Sequence, residues 1–537
     1  MTNYQQERQV AERKDKGRMP DILSVYAASQ PGKVAVIEDR PDGEIVSWTY
    51  ADLETHANRL GNALASLGAG PGQKVIWCGP NSPQIVACMN ATTKIGAVSV
   101  PLNYRLTAEE ARYIIAHSDA KVAYVDAEYA HLFAPPEGEE GLAGSLTAVL
   151  VFGGPAPDGM LGEEIVEAAS ADPPGEADQS AGGGTMIYTS GTTGRPKGAV
   201  RRARDENVVI GLVTFIGYRP DDVYITSGPL YHSGPGSFLL IAQALGQTCV
   251  VQRKFDAEDW LRLVDKYKVT STFSAPALVR MICALPKEVK DRYDKTSMKR
   301  MIANAAPWSF ALKQAYLADF PADSLWEIYG STELGVNCLL EPKDQLRKPG
   351  SCGKPAPYNE IMLVDADGQE VTGIGPDYPG ELFVRSGGVF NEYYKQADSY
   401  EAASRGEWHT VGDIAYRDDE GYYYICDRKN DMIISGGMNI YPAEIEAALE
   451  QHPKIYDVAV FGIPSDEWGE LVHATIVVAP GEELSADEVI AFSREHLAGY
   501  KTPRSIAFTG ELPRTGSGKI LKRQLRAPYW EGQAANV

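Results

Sequence analysis

The stretch Tyr188-Thr189-Ser190-Gly191-Thr192-Thr193-Gly194-Arg195-Pro196-Lys197-Gly198 decides how the rest of the chain is read. The apolar run Met186-Ile187-Tyr188 predicts a short strand that empties into a loop of small, hydroxyl and cationic residues. Glycines let backbone N–H groups approach an anion, hydroxyls add donors without bulk, and Arg195 and Lys197 offset negative charge. The composition handles phosphate, but it is not the Walker loop. That loop needs Gly-Lys-Ser/Thr, whereas here Pro196 precedes Lys197 and Gly198 follows it. Taken alone, the same composition also fits a plain surface connection.

On the N-terminal side, residues 1–180 alternate strand-like and helix-like runs. Trp48 and Tyr50 close an extended segment, and Leu53, Ala57, Leu60, Leu64 and Leu67 then recur at helical spacing as far as Gly68. Lys74 to Cys78 reads as a strand, Pro83 to Ile95 as a helix and Lys121 to Val125 as a strand. Strands separated by amphipathic helices predict parallel βαβ units, hence an α/β fold. Residues 153–184 are rich in Gly, Pro, Ala and acids and read as a long mobile connection to the central loop.

At 537 residues the chain exceeds one core and predicts at least two domains. Hydrophobic residues at 44% and charged residues at 23% fit a globular protein. The formal charge of -21, from 72 acids against 51 bases, argues against a general nucleic-acid or anionic-membrane binder. An anionic ligand then needs a local basic patch. Lys501, Arg504, Arg514, Lys519, Lys522, Arg523 and Arg526 supply one against the single acid Glu511, unless they form only a solvated face. The seven scattered cysteines predict neither disulfides nor structural zinc. With no apolar leader and no run approaching a membrane span, the expectation is a cytoplasmic protein without an integral membrane segment; peripheral membrane contact stays open.

Beyond the loop, His232 follows Leu230-Tyr231 and reads as a half-buried histidine or a site group. Asn304-Ala305-Ala306 lines a flat ligand or turns within a core. Tyr329-Gly330-Ser331-Thr332-Glu333 offers a ring, room, hydroxyls and a carboxylate, the set wanted by a nucleotide with magnesium; a polar loop at a strand end is the other reading. Asp413 precedes a hairpin and suits two ribose hydroxyls, or caps a turn. Past Asn430 a small domain is predicted. Pro442 opens a helix to about His452, strands follow at Val458–Phe461 and Ala474–Val478, and Ser485 with Glu488 makes a capping box. In Pro513-Arg514-Thr515-Gly516-Ser517-Gly518-Lys519 the glycines put the lysine on a flexible arm.

Together Tyr188 to Gly198, Tyr329 to Glu333, Gly412-Asp413, Asp427-Arg428 and Pro513 to Lys519 resemble the acyl-adenylate-forming superfamily, over nearly the whole chain. The resemblance implies a large N-terminal domain, 1–429, of two βαβ-rich subdomains and a distorted β-barrel. A mobile α+β domain, 430–537, would follow, with the hinge at Asn430, where relatives usually carry Asp or Lys. It also implies site roles. Thr189, Ser190, Gly191, Thr192, Thr193, Gly194 and Lys197 would hold the ATP phosphates. Tyr329 would stack on adenine beside the wall made by Asn304, Ala305 and Ala306, Gly330 and Ser331 would belong to the same ATP/AMP-binding set, and Asp413 and Arg428 would bind the ribose. Thr332 would meet the α-phosphate, Glu333 would bind Mg2+, and Lys519 would bridge the substrate carboxylate and α-phosphate, with His232 in the same catalytic set. Gly436 and Gly437 would wall the pantetheine tunnel, with Trp468, Tyr500, Lys501 and Arg504 near the CoA nucleotide.

The implied activity joins a carboxylic acid to CoA through an acyl-adenylate, with ATP and CoA as co-substrates. Small residues at Gly234, Gly236, Ala305 and Gly330 favour a roomy apolar channel for a medium or long fatty acid, or a similarly bulky apolar acid. An aryl or cinnamate-type acid, or transfer to a carrier protein, are the alternatives. Relatives are commonly dimers. The absence of an Asp around Leu230-Tyr231-His232 disfavours an α-amino acid.

Overall fold

The computed structural model describes residues 21–531 apart from 136–137, 139–140, 176–182, 190–195, 203–204, 305–307, 430, 437, 466 and 515–518. A nine-stranded sheet centres on six parallel strands in the spatial order Val34–Asp39, Thr248–Val251, Val223–Thr226, Ser271–Ser274, Arg300–Ala303 and Leu325–Ser331. Antiparallel strands close its ends. Ile45–Thr49 lies on one side, with Gly335–Leu340 and then Lys354–Pro355 on the other. A second sheet runs parallel through Ala148–Phe152, Val122–Asp126, Lys74–Cys78, Val98–Leu102 and Gly184–Thr189. It then turns antiparallel into Lys197–Arg201 and Glu392–Tyr393. The predicted α/β architecture is therefore present, and one apolar core joins residues of both sheets.

Local chemistry explains the element ends. Tyr50 does not close a strand: Thr49 and Asp52 form a capping box that starts the helix Tyr50–Ser66 at that residue. The Tyr50 ring is buried and its hydroxyl donates to the Gln247 carbonyl at 2.8 Å. Ser82 caps the helix Pro83–Lys94, which has proline at its start, as predicted. Of the expected mobile connection, residues 153–175 are fastened down. Leu161 bridges to Leu150, and Asn58 and Asn62 donate to carbonyls of Ala171, Ser170 and Asp172.

A six-stranded antiparallel sheet, Asn359–Val364, Gly380–Ser386, Ser404–Arg405, Trp408–His409, Asp413–Arg417 and Tyr423–Arg428, completes the large N-terminal domain. It is the counterpart of the expected barrel, and its pairing among the described residues follows an open order.

The smaller C-terminal domain has five strands, Ile433–Ser435, Met438–Ile440, Ile455–Ser465, Gly469–Val478 and Ser505–Phe508, with helices Pro442–Leu449 and Ala486–His496. The two central strands are longer than the apolar runs predicted, because their pairing continues through Pro464 and Glu470. Ser485 and Glu488 form the predicted capping box. Ile433, Ile445, Leu449, Val460, Ile476 and Val489 share its core. The arm carrying Lys519 is pinned at both ends: Leu521 N–H donates to Pro513 O at 2.8 Å, and Leu512, Ile520 and Leu525 pack with Ala459 and Val477. Among the described residues, no helix is long and apolar enough to cross a membrane.

Candidate active site

One cavity of about 870 Å³ is lined by residues of both domains, including Thr189, Lys197, His232, Asn304, Thr332, Glu333, Arg428 and Lys519. The hairpin Gly184–Thr189/Lys197–Arg201 holds Thr189 opposite Lys197. A second hairpin, Leu325–Ser331/Gly335–Leu340, carries Thr332 and Glu333 in its turn. Tyr329, Gly330 and Ser331 thus lie in a paired strand and not in a loop. A Cβ at Gly330 would lie 1.9 Å from the Gly335 carbonyl oxygen, so this glycine serves the close approach of the two strands.

Hydrogen bonds fix the two hairpins to each other. Thr189 Oγ1 and Tyr393 OH each donate to Glu333 Oε1 at 3.0 Å. Arg201 Nη2 donates to the Thr332 carbonyl at 2.7 Å, and Phe390 N–H to the Glu333 carbonyl at 2.7 Å. Ser233 Oγ and Thr332 Oγ1 are 2.8 Å apart. Lys197 Nζ donates to Ser399 Oγ at 3.1 Å and lies 5.3 Å from the centre of the Tyr393 ring. Glu333 is buried, its carboxylate is met by hydroxyls, and no lysine or arginine ion-pairs with it among the described residues. A hard, anionic oxygen so placed fits a magnesium ion that keeps its other ligands from phosphate and water.

Asp413 and Arg428 face each other across paired strands, with Arg428 Nε donating to Asp413 Oδ1 at 3.3 Å. Tyr329 OH donates to Asp413 Oδ2 at 2.5 Å; burial, and then the Asp413 charge, keep that phenol protonated. Lys519 is exposed and lines the cavity. Partial loss of hydration there, with Arg428 nearby, lowers its pKa, and Asp413 and Glu333 oppose the shift. His232 sits at the start of helix Ser233–Ala244. Burial, then Lys519 and Arg105, lower its pKa to about 4, so it is neutral at physiological pH.

The apolar end of the cavity was not legible from the sequence. Val208, Val209 and Leu212 on helix Glu206–Ile216, Phe238 and Ile241 on helix Ser233–Ala244, and Phe273 form it. The first helix is apolar on nearly all sides, so periodicity gave no inward face. Nor did any local signal mark Tyr393 or Arg201, whose roles come from long-range pairing. The small residues expected to leave a wide channel do other work. A Cβ at Gly234 would lie 2.3 Å from Phe273 Cζ, and one at Gly236 would lie 2.8 Å from the Leu230 carbonyl oxygen.

The expected CoA residues stand elsewhere, on the C-terminal domain. Gly436, at φ +57, donates its N–H to the Trp468 carbonyl at 2.8 Å, and a Cβ there would lie 2.9 Å from the Trp468 ring. In this arrangement Gly436 accommodates an indole. The Arg504 guanidinium lies over the Trp468 ring at 4.7 Å, and Lys501, beside Tyr500, pairs with Glu444 at 2.6 Å. Ser190, Gly191, Thr192, Thr193, Gly194, Ala305, Ala306, Asn430 and Gly437 lie outside the described residues.

Comparison with known proteins agrees with this geometry. Residues 23–394 match the AMP-binding enzyme family and residues 444–519 the AMP-binding enzyme C-terminal domain. A feruloyl-CoA synthase of Amycolatopsis sp is 34% identical over 486 residues, 90% of this chain and 94% of its own. The long-chain-fatty-acid–CoA ligase FadD13 of Mycobacterium tuberculosis is 32% identical over 513 residues, 95% of this chain and 98% of its own. The crystal structure of the anthranilate CoA ligase AuaEII with anthranoyl-AMP superposes with a TM-score of 0.83 at 27% identity, covering 95% of this chain and 96% of that one. Two hairpins, the Arg428 strand and a tail lysine meet at one cavity, within a chain matched along both its domains, and the protein is a member of the AMP-binding, acyl-adenylate-forming enzyme family.

Proposed function

We propose that the protein is an ATP-dependent carboxylate-CoA ligase acting on an apolar acid, aryl or medium-chain, through an acyl-AMP. The observation that carries this reading is the position of Lys519, which reaches from the tail into the cavity lined by Thr332, Glu333 and Arg428. A carboxylate and a polyphosphate repel each other, and a single cation between them offsets the repulsion as the acid oxygen attacks the α-phosphorus and pyrophosphate leaves. Thr189 and Lys197 bind the phosphates, Asp413 and Arg428 the ribose, Tyr329 and Asn304 the adenine. Glu333 would hold Mg2+, which would supply neutralisation of phosphate charge. His232, neutral, meets the carboxylate end of the acid without adding charge. The apolar wall of Val209, Leu212, Phe238 and Phe273 supports an apolar acid.

In the second step the CoA thiolate attacks the acyl carbonyl and AMP leaves. Gly436, Trp468, Tyr500, Lys501 and Arg504 lie outside the cavity lining, which supports a second arrangement of residues 430–537 against 1–429, turning at Asn430, for this step. The free cysteines support a cytoplasmic setting.

The test is pyrophosphate release with acetate, octanoate, palmitate, benzoate, cinnamate and a sterol side-chain acid, followed by thioester formation with CoA or with a phosphopantetheinyl carrier protein. Lys519→Ala is expected to lose roughly 100- to 1,000-fold in adenylation rate, as for a group used in the transition state. Undiminished adenylation by that variant, or none by wild type with any acid, overturns the reading.

A further inference from the structure

Helix Pro442–Leu449 of the C-terminal domain begins without a cap of its own. Its N-cap residue is Tyr441, which makes no side-chain cap bond, and its first position is a proline. The first helical N–H groups need an acceptor. That acceptor comes from the large domain: Asp427 Oδ2 receives the Ala443 N–H at 2.9 Å. Asp427 is the last residue but one of the strand Tyr423–Arg428, is buried, and also receives the Arg428 N–H through Oδ1 at 2.7 Å. A carboxylate at a helix N-terminus meets both the orphan donors and the positive end of the helix dipole.

The helix passes this constraint onward. Glu446 lies three residues after Ala443, on the same face, and its Oε1 ion-pairs with Lys522 Nζ at 2.8 Å while also accepting the Val460 N–H at 2.6 Å. Burial works against the Lys522 charge, but Glu446, Asp427 and Asp431 hold it. Lys522 opens the helix Lys522–Trp530, three residues after Lys519, and Ile520 between them packs beside the Ala459 and Val477 cluster. Two polar contacts, joined by one helical turn, thus link the strand that bears Arg428 to Lys522, three residues along the chain from Lys519.

We propose that Asp427 is a positioning residue for adenylation, acting through helix Pro442–Leu449, Glu446 and Lys522 to hold Lys519 over the cavity. The inference rests on the reading of Lys519 given above. Thiolysis brings a thiol to an acyl carbonyl without forcing carboxylate and polyphosphate together, so this step does not need the lysine there. Loss of the relay must therefore slow the two half-reactions unequally.

Single-turnover acyl-AMP formation and thiolysis of supplied acyl-AMP are measured separately in the full chain, for wild type, Asp427→Ala, Asp427→Asn and Lys522→Gln. Asp427→Ala is expected to slow acyl-AMP formation about tenfold, the order of a lost cap, and to leave thiolysis within about twofold. Asp427→Asn, which keeps an acceptor oxygen without the charge, falls between, and Lys522→Gln shows the same split from the other end of the relay. Equal slowing of both steps, or no slowing of the first, in Asp427→Asn and Lys522→Gln overturns the relay while adenylation by wild type stands. A wild type that makes no acyl-AMP with any acid removes the ligase reading and the relay with it.

Discussion

Thr189 Oγ1 donates to Glu333 Oε1 at 3.0 Å, joining the end of one hairpin strand to the turn of another that belongs to a different sheet. This bond aligns the end of strand Gly184–Thr189 with the carboxylate proposed above to hold Mg2+. Glu333→Gln keeps an acceptor for Thr189 and removes the negative charge. The expected outcome is pyrophosphate release slowed roughly 100-fold with the Mg2+ concentration for half-activity raised. An unchanged metal requirement assigns Glu333 to scaffolding alone.

Gly330 is set by backbone approach. Gly330→Ala pushes a methyl to 1.9 Å from the Gly335 carbonyl oxygen, which backbone cannot evade without unpairing the hairpin. The expected cost is at least about 1–3 kcal/mol, with nucleotide affinity lost in parallel, read by thermal unfolding with and without ATP.

The Phe273 ring stands against Gly234 and 5.1 Å from the Phe238 ring. Removing it opens the apolar end of the cavity. Phe273→Ala is expected to shift the ratio of kcat/KM for palmitate over benzoate upward by about tenfold or more, and to lose about 3–5 kcal/mol of stability. A ratio that does not move places the acid elsewhere.

His473 is buried, with Nδ1 2.8 Å from Ser505 Oγ and Nε2 3.1 Å from Thr475 Oγ1, and burial lowers its pKa from 6.5 to about 4. The unfolded imidazole therefore takes a proton first as pH falls, so stability drops from pH 6.5 towards 4. His232 adds to the same loss over the same window, because burial holds its pKa near 4 as well. Urea midpoints measured at about pH 7.5 and about pH 5 are expected to differ less in His473→Gln than in wild type.

Much of this molecule was written in local sequence. The apolar run before Thr189 became a strand, Ser82-Pro83 and Ser485 with Glu488 started helices where they stood, and alternating strands and helices gave parallel sheets. Caps, periodicity and turns act over a few residues, so a few residues reveal them. Of the residues the motifs named, Thr189, Lys197, His232, Asn304, Thr332, Glu333, Arg428 and Lys519 line the cavity, whereas Tyr329 and Asp413 stand behind it.

Tertiary structure alone decided what surrounds them. The hydroxyl of Tyr393 on Glu333, the ring of Phe273 against Gly234 and the carboxylate of Asp427 on helix Pro442–Leu449 each join segments distant in the chain. No local pattern encodes such meetings, because each depends on the register of a sheet or the seating of one domain on another. The size of the cavity and the seating of helix Pro442–Leu449 are therefore products of packing, which fills space through contacts whose partners the chain brings together only on folding.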